Sequence, residues 1–220
     1  LECYSKSLTI EKELGAKKAM GASYNNIGNI YKEQGNYEKA LKYYLKSFAI
    51  NEELGDKNGM GGSYNNIGNI YSDQDNLEKA LEYYSKSLAI KEEIGDKKGM
   101  GNTCNNIGLI YQNQGNYEKA LECYLKSLAI SEELGDKQGM VNSYDNIGII
   151  CKNQGNYEKA LEYLLKSKNT KQEINTIYGL DETSEALSEV YKELGKYKQA
   201  LEMHELYMET KDSLAKMDAE

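Results

Sequence analysis

The 220-residue chain contains no proline and no tryptophan, one phenylalanine and one histidine. Without proline, nothing in the chain forces a break inside a helix. The single histidine, His204, has no nucleophile or acid–base partner set in the sequence, so imidazole-based catalysis finds no support and no enzyme is expected. No stretch approaches the ~20 consecutive apolar residues of a membrane span. There is also no secretory apolar segment; the chain opens on Leu1 inside a repeated block, which reads as a piece cut from a longer protein. Basic charge is short as well: 27 Lys+Arg stand against 35 Asp+Glu, a net charge of −8, which argues against nucleic acid as a partner. Four cysteines, Cys3, Cys104, Cys123 and Cys151, make no Cys-x-x-Cys pair, and Cys104 and Cys151 stand where other copies of the block carry tyrosine. They read as substitutions into a packing pattern in a reducing, cytoplasmic compartment, with no metal and no disulfide framework.

What is present is one block repeated every 40 residues. Gly21–Met60 reads GASYNNIGNIYKEQGNYEKALKYYLKSFAINEELGDKNGM, and Gly61–Met100 is identical to it at 29 of 40 positions. Further copies start at Gly101 and Val141, a looser one runs from Asp181, and Leu1–Met20 is the second half of an earlier copy. A fixed period of this size implies stacked modules that each touch mainly their neighbours.

Within a copy, Tyr24, Ile27, Gly28 and Tyr31 fall at i, i+3, i+4 and i+7, one face of a helix. Gly35 suits the left-handed residue that ends it, and Asn36 the cap of the next. Tyr37, Ala40, Leu41, Tyr44 and Phe48 form the apolar stripe of a second helix, which Gly55 closes before Asp56 caps the following copy. The unit is two antiparallel helices. Gly28 and Ala40, recurring as Gly68/Ala80, Gly108/Ala120 and Gly148/Ala160, should let the pair approach closely while Tyr31 and Tyr44 fill the flanks. In the second copy Asp75 replaces the turn glycine, so that turn should form with some strain. His204 falls where earlier copies have Tyr44, Tyr84 and Tyr124, so a packing role is expected. Gly59-Met60-Gly61-Gly62 follows a helix and lacks the strand and lysine of a phosphate-binding loop.

The pattern Tyr24, Ile27, Gly28, Tyr31, Ala40, Tyr44 resembles the tetratricopeptide repeat. The family's usual Trp is Tyr here, its closing Pro is replaced by Glu52, and the period is 40 residues instead of the common ~34. This variant is similar to the repeats of kinesin light chain, of Leu-Gly-Asn spindle adaptors and of bacterial sensor histidine kinases. The resemblance implies an all-α, right-handed superhelical solenoid, a single array over 1–220. The expected divisions are a lone second helix at 1–15, regular repeats at 17–54, 57–94, 97–134 and 137–173, and a divergent one at 181–217.

In such arrays the first helices line the concave groove. Asn25, Asn26 and Asn29, then Asn65, Asn66 and Asn69, then Asn105 and Asn106, then Asp145 and Asn146 lie on the face opposite Gly28 and Tyr31 and its equivalents. Stacking would turn them into a ladder able to clamp the backbone of an extended peptide, similar to the asparagine ladder of O-linked GlcNAc transferase. Lys32 and Lys152 sit one turn further on. The groove should grow more apolar along its length as Asn29 and Asn69 give way to Leu109 and Ile149. The expected function is a non-catalytic scaffold for a protein or peptide, with no cofactor and no membrane contact from this stretch. Two alternatives stay open. One is the sensory region of a bacterial histidine kinase or cyclase, since Tyr197–Leu214 resembles the last repeat before such linkers. The other is a self-associating structural solenoid, because Leu1–Leu14 lacks its partner helix and opens a route to homodimers through exposed terminal helices.

Overall fold

The computed structural model describes residues 2–217; the side chain of Cys3 lies outside the described residues. Among these, the chain forms α-helices and turns: α1 (Glu2–Glu13), α2 (Lys17–Glu33), α3 (Tyr37–Glu53), α4 (Lys57–Asp73), α5 (Leu77–Ile94), α6 (Lys97–Asn113), α7 (Tyr117–Leu134), α8 (Lys137–Asn153), α9 (Tyr157–Glu173), α10 (Leu180–Glu193) and α11 (Tyr197–Met217). Two compact units are distinguished, residues 1–110 and 111–220, and each is described by itself.

The helix boundaries follow from side-chain and backbone chemistry within a few residues. Asn36, Asn76, Asn116 and Asn156 each accept a bond from the backbone N–H three residues on, at 3.2–3.3 Å. Asp56, Asp96 and Asp136 do the same for Gly59, Gly99 and Gly139 at 2.9–3.1 Å. At the close of α2, Gly35 has φ +70°. Its N–H reaches the Lys32 carbonyl at 2.9 Å, and the Asn36 N–H reaches that of Tyr31 at 2.8 Å, the double bond pattern that terminates many helices. Asp75 keeps the same two bonds with φ +57°, so the turn forms and holds a non-glycine residue in the left-handed region.

In the first unit, α2 pairs with α3 and α4 with α5, and α3 packs against α4. Ala40, Tyr44, Ile67 and Ile70 are its buried centre, flanked by Tyr31, Tyr37, Leu41, Tyr71 and Tyr83. In the second unit, α8 pairs with α9 and α10 with α11, around Tyr124, Ile147, Ile150, Leu164, Leu187 and Val190. One detail differs from the sequence reading. Tyr44 does not fill a flank: its ring lies directly over Gly28, where a Cβ would stand 2.6 Å from Cε1. Tyr84 covers Gly68 and Leu164 covers Gly148 in the same way. The flank is taken by a second tyrosine pair, Tyr31 stacked on Tyr43 with centroids 5.5 Å apart.

The helices at either end behave differently. Ile10 of α1 is exposed, unlike the partly buried Ile50, Ile90 and Ile130, while Leu14 shares its exposure with Leu54, Ile94 and Leu134. His204 is exposed too and tilts against Tyr207 at 5.9 Å. Its expected packing role fails: the place of Gly28 is taken in this copy by Ser188, whose hydroxyl donates to the Ala200 carbonyl at 2.9 Å, so α10 offers no glycine notch for the ring.

Candidate functional site

Neighbouring first helices touch within each unit, α2 with α4 and α8 with α10, so their polar faces meet. In the first unit Asn66 donates Nδ2–H to Asn25 Oδ1 at 2.8 Å. Asn106 donates to Asn65 Oδ1 at 3.3 Å and to Asn69 Oδ1 at 3.4 Å. The amides are half-buried and form a chain of bonds from one helix to the next. Asn29 and Asn69 have a further role: their Oδ1 atoms accept from the Tyr44 and Tyr84 hydroxyls at 2.7 Å. Asn26 is half-buried beside them, and Asn105 and Asn146 hold the equivalent places on α6 and α8, also half-buried. Lys32 is paired with Asp73 at 3.3 Å and Lys152 with Glu189 at 2.6 Å, each on the following first helix.

A cavity of about 320 Å³ opens in the first unit. Asn25, Asn51, Ser63, Asn65, Asn66 and Lys91 line it. Lys18 and Asp56 also border it, the latter's Oδ1 being bound to the Gly59 N–H.

Lys91 was not anticipated by the sequence reading, and neither was its equivalent Lys171 in the second unit. Both lie on second helices and are 7% and 2% exposed. Lys91 Nζ donates to the Gly99 carbonyl at 3.2 Å and to Thr103 Oγ1 at 2.9 Å. Lys171 Nζ donates to the Gly179 carbonyl at 2.5 Å and to Thr183 Oγ1 at 2.6 Å. A Cβ on Gly99 would stand 2.8 Å from Lys91 Cδ, so glycine makes room for the lysine stem. Asp145, read from sequence as a rung of the ladder, is committed to this arrangement. Its Oδ2 lies 2.8 Å from Lys171 Nζ, and its Oδ1 accepts from the Thr183 hydroxyl at 2.9 Å. A usable signal was present in the sequence. Lys91 falls seven residues after Tyr84 and four after Ser87, inside the buried stripe. Threonine follows twelve residues after each buried lysine, where the other copies pair Asn51 with Ser63 and Ser131 with Ser143.

Burial dominates the titration of Lys91 and of three core tyrosines. It pushes the Lys91 ammonium below the usual lysine range, with Asp96 and Cys104 opposing. It pushes the Tyr44 hydroxyl up to about 12, helped by Glu33 and Asp73, and raises Tyr84 and Tyr124 as well. Cys104 and Cys151 are buried, and no disulfide joins the described cysteines. Among the described residues no helix is long and apolar enough to cross a membrane.

A family model described as tetratricopeptide repeat matches residues 1–53, 19–93 and 99–173. Among solved structures, BtubC (BKLC) from P. vanneervenii superposes with a TM-score of 0.87 at 19% identity, over 97% of this chain and 90% of that one. Aspartyl phosphate phosphatase F from Bacillus subtilis superposes at 0.80 and 19% identity, over 94% of this chain and 55% of that one. A signal transduction ATPase with a tetratricopeptide repeat sensor from Pyrococcus horikoshii superposes at 0.73 and 27% identity, over 86% and 30%. The chain therefore spans about half of the phosphatase and under a third of the ATPase. No curated protein matches the sequence.

Proposed function

Because this chain belongs to the tetratricopeptide repeat family, we propose that it is a non-catalytic scaffold that holds an extended segment of a protein or peptide along the amide-bearing faces of its first helices. The observation that carries this reading is the half-used state of the amides. Asn25 accepts through Oδ1 and Asn66 donates through Nδ2, leaving the Asn25 Nδ2 donor and the Asn66 Oδ1 acceptor for a peptide carbonyl and N–H. Both residues line the cavity. A bound backbone would thus meet a prearranged donor and acceptor and would be read with little regard to its side chains, while Lys32 and Lys152, already ion-paired, orient the neighbouring helices more than they hold ligand.

The test is a triple Asn66→Ala, Asn106→Ala, Asn146→Ala variant, with affinity measured by fluorescence anisotropy against peptides selected from a display library. Binding should fall about tenfold or more, as expected for the loss of one or two hydrogen bonds, while far-UV circular dichroism stays helical. An unchanged Kd rejects the backbone clamp.

A second reading, in which the array is the sensing region of a larger signalling protein, is favoured by the ATPase neighbour, whose repeats are described as its sensor. It uses the same ligand face and differs in what lies beyond the array. Sequencing the gene around this segment tests it: an adjoining output domain supports the reading, and a gene coding for the array alone rejects it.

A further inference from the structure

The two buried lysines share two kinds of hydrogen-bond partner and differ in where their countercharge stands. Each ammonium spends two of its three N–H bonds on a glycine carbonyl and a threonine hydroxyl. In the second unit Asp145 supplies the third partner and the countercharge. In the first unit the residue in that place is Asn65. Its Oδ1 accepts from Asn106 at 3.3 Å and from Thr103 at 3.4 Å, and it carries no charge. The carboxylate acting on Lys91 is Asp96, whose Oδ1 caps α6 through the Gly99 N–H at 2.9 Å and whose place in the second copy is taken by Thr176. The hydrogen-bond partners of Lys91 are neutral oxygens. A buried cation without a directly bonded carboxylate is costly, and part of that cost is recovered when an anion bonds to it.

An anion has a route, because Lys91 borders the 320 Å³ cavity, and the donors there are unevenly spent. Asn25 and Asn65 both use their oxygens inside the protein, so what each has left is the Nδ2 group. Three donors, from Lys91, Asn65 and Asn25, remain around one opening. Lys18 on its border adds positive charge, against the single acid Asp56.

We infer that the cavity at Lys91 is a carboxylate-binding site, in which a carboxylate arriving through the cavity gives Lys91 the charged partner that the chain's own Asp145 gives Lys171. This goes beyond the backbone clamp and stands without it, since the smallest occupant, acetate, has no peptide backbone. The carboxylate could be a small free acid, a chain terminus or an acidic side chain; the chemistry at Lys91 is the same.

The full chain with isotope-labelled lysine is titrated with sodium acetate, and the Lys91 side-chain resonance is followed by NMR against sodium chloride at matched ionic strength. Acetate should shift it saturably, with a dissociation constant of about 10 mM or tighter, while acetamide leaves it still. Asn65→Asp fills the site from within and should weaken acetate at least tenfold. Asp145→Asn empties the second copy and should create an acetate response at Lys171. Trialanine as the free acid and as its amide separates the sources: tighter binding of the acid than of acetate points to a chain terminus, and equal binding to a small acid. A linear response shared by acetate and chloride overturns the inference, as does an Asn65→Asp variant that binds acetate like the parent. Should Asp145→Asn fail to fold, the Asn65→Asp arm still decides. Unchanged peptide binding in the triple asparagine variant, with the acetate response retained, would sink only the clamp.

Discussion

Two glycines in α4 provide a controlled test of why glycine recurs in these helices. Replacing an interior helical glycine by alanine gains about 1 kcal/mol of helix propensity when the methyl meets nothing. Gly62 is such a place: a Cβ there has no neighbour within 4 Å, and the preceding copy already carries Ala22. Gly68 is six residues further along the same helix, and its Cβ would stand 2.7 Å from both Cδ1 and Cε1 of Tyr84 and 3.2 Å from Cγ. That ring is buried, and its hydroxyl is tied to Asn69 at 2.7 Å, so it has nowhere to withdraw. Overpacking of this kind costs about 1–3 kcal/mol. Set against the same propensity gain, Gly68→Ala should lose about 1 kcal/mol where Gly62→Ala gains nearly as much. Urea titrations followed by far-UV circular dichroism should show midpoints moving in opposite directions. The slopes must be compared too, because a repeat array need not unfold in one step. In a Tyr84→Ala background the penalty at Gly68 should vanish, giving a coupling energy between the two sites. If Gly68→Ala stabilised the chain as much as Gly62→Ala does, the contact with Tyr84 would not explain the glycine.

Other perturbations have equally definite signs. Asp75→Gly relieves a left-handed aspartate at φ +57° and should raise stability by about 0.5 kcal/mol, the gain being trimmed by the freer unfolded chain; urea midpoints measure it. Asp145→Asn leaves the buried Lys171 without its carboxylate and should cost about 3 kcal/mol, whereas Asp145→Asn with Lys171→Met should sit close to the parent, a contrast read from thermal melts. The Tyr44 hydroxyl, at about 12 when folded against ~10 when unfolded, contributes stability that is complete below pH ~10. This stability is lost as pH rises through that interval, because the unfolded chain ionises first. Tyrosinate absorbance should therefore rise together with loss of helix in an alkaline titration, and Tyr44→Phe should move that transition upward.

The helices were legible in the sequence because their determinants are local. The caps Asn36 and Asp56, the turn at Gly35 and the spacing of Tyr24, Ile27 and Gly28 each act within a few residues. What escaped needed contacts between helices. Which tyrosine covers Gly28 depends on the pairing of α2 with α3, and both Tyr43 and Tyr44 fit the stripe. The asparagines were identifiable as a polar face, but that Asn29 serves Tyr44 and Asn66 serves Asn25 appears only when the helices meet. Lys91 and Lys171 were overlooked because a lysine among many surface lysines reads as solvated, although their register placed them on the buried side. His204 kept the register of a core residue, but Ser188 stands where Gly28 makes room for Tyr44.

The alternation of Asn51, Lys91, Ser131 and Lys171, answered by Ser63, Thr103, Ser143 and Thr183, bears on how a chain of near-copies finds its proper order. Helix surfaces this alike could mate with the wrong partner during folding and meet few penalties. Beyond the first seam, where Ser23 bonds to Glu11, two kinds of seam, one shaped for a long cation and one for a short neutral group, give the chain a parity check. A slip by one copy forces an ammonium into a space cut for asparagine or serine and leaves a void where the lysine belonged, so odd-numbered errors are penalised and only slips of two copies match in kind.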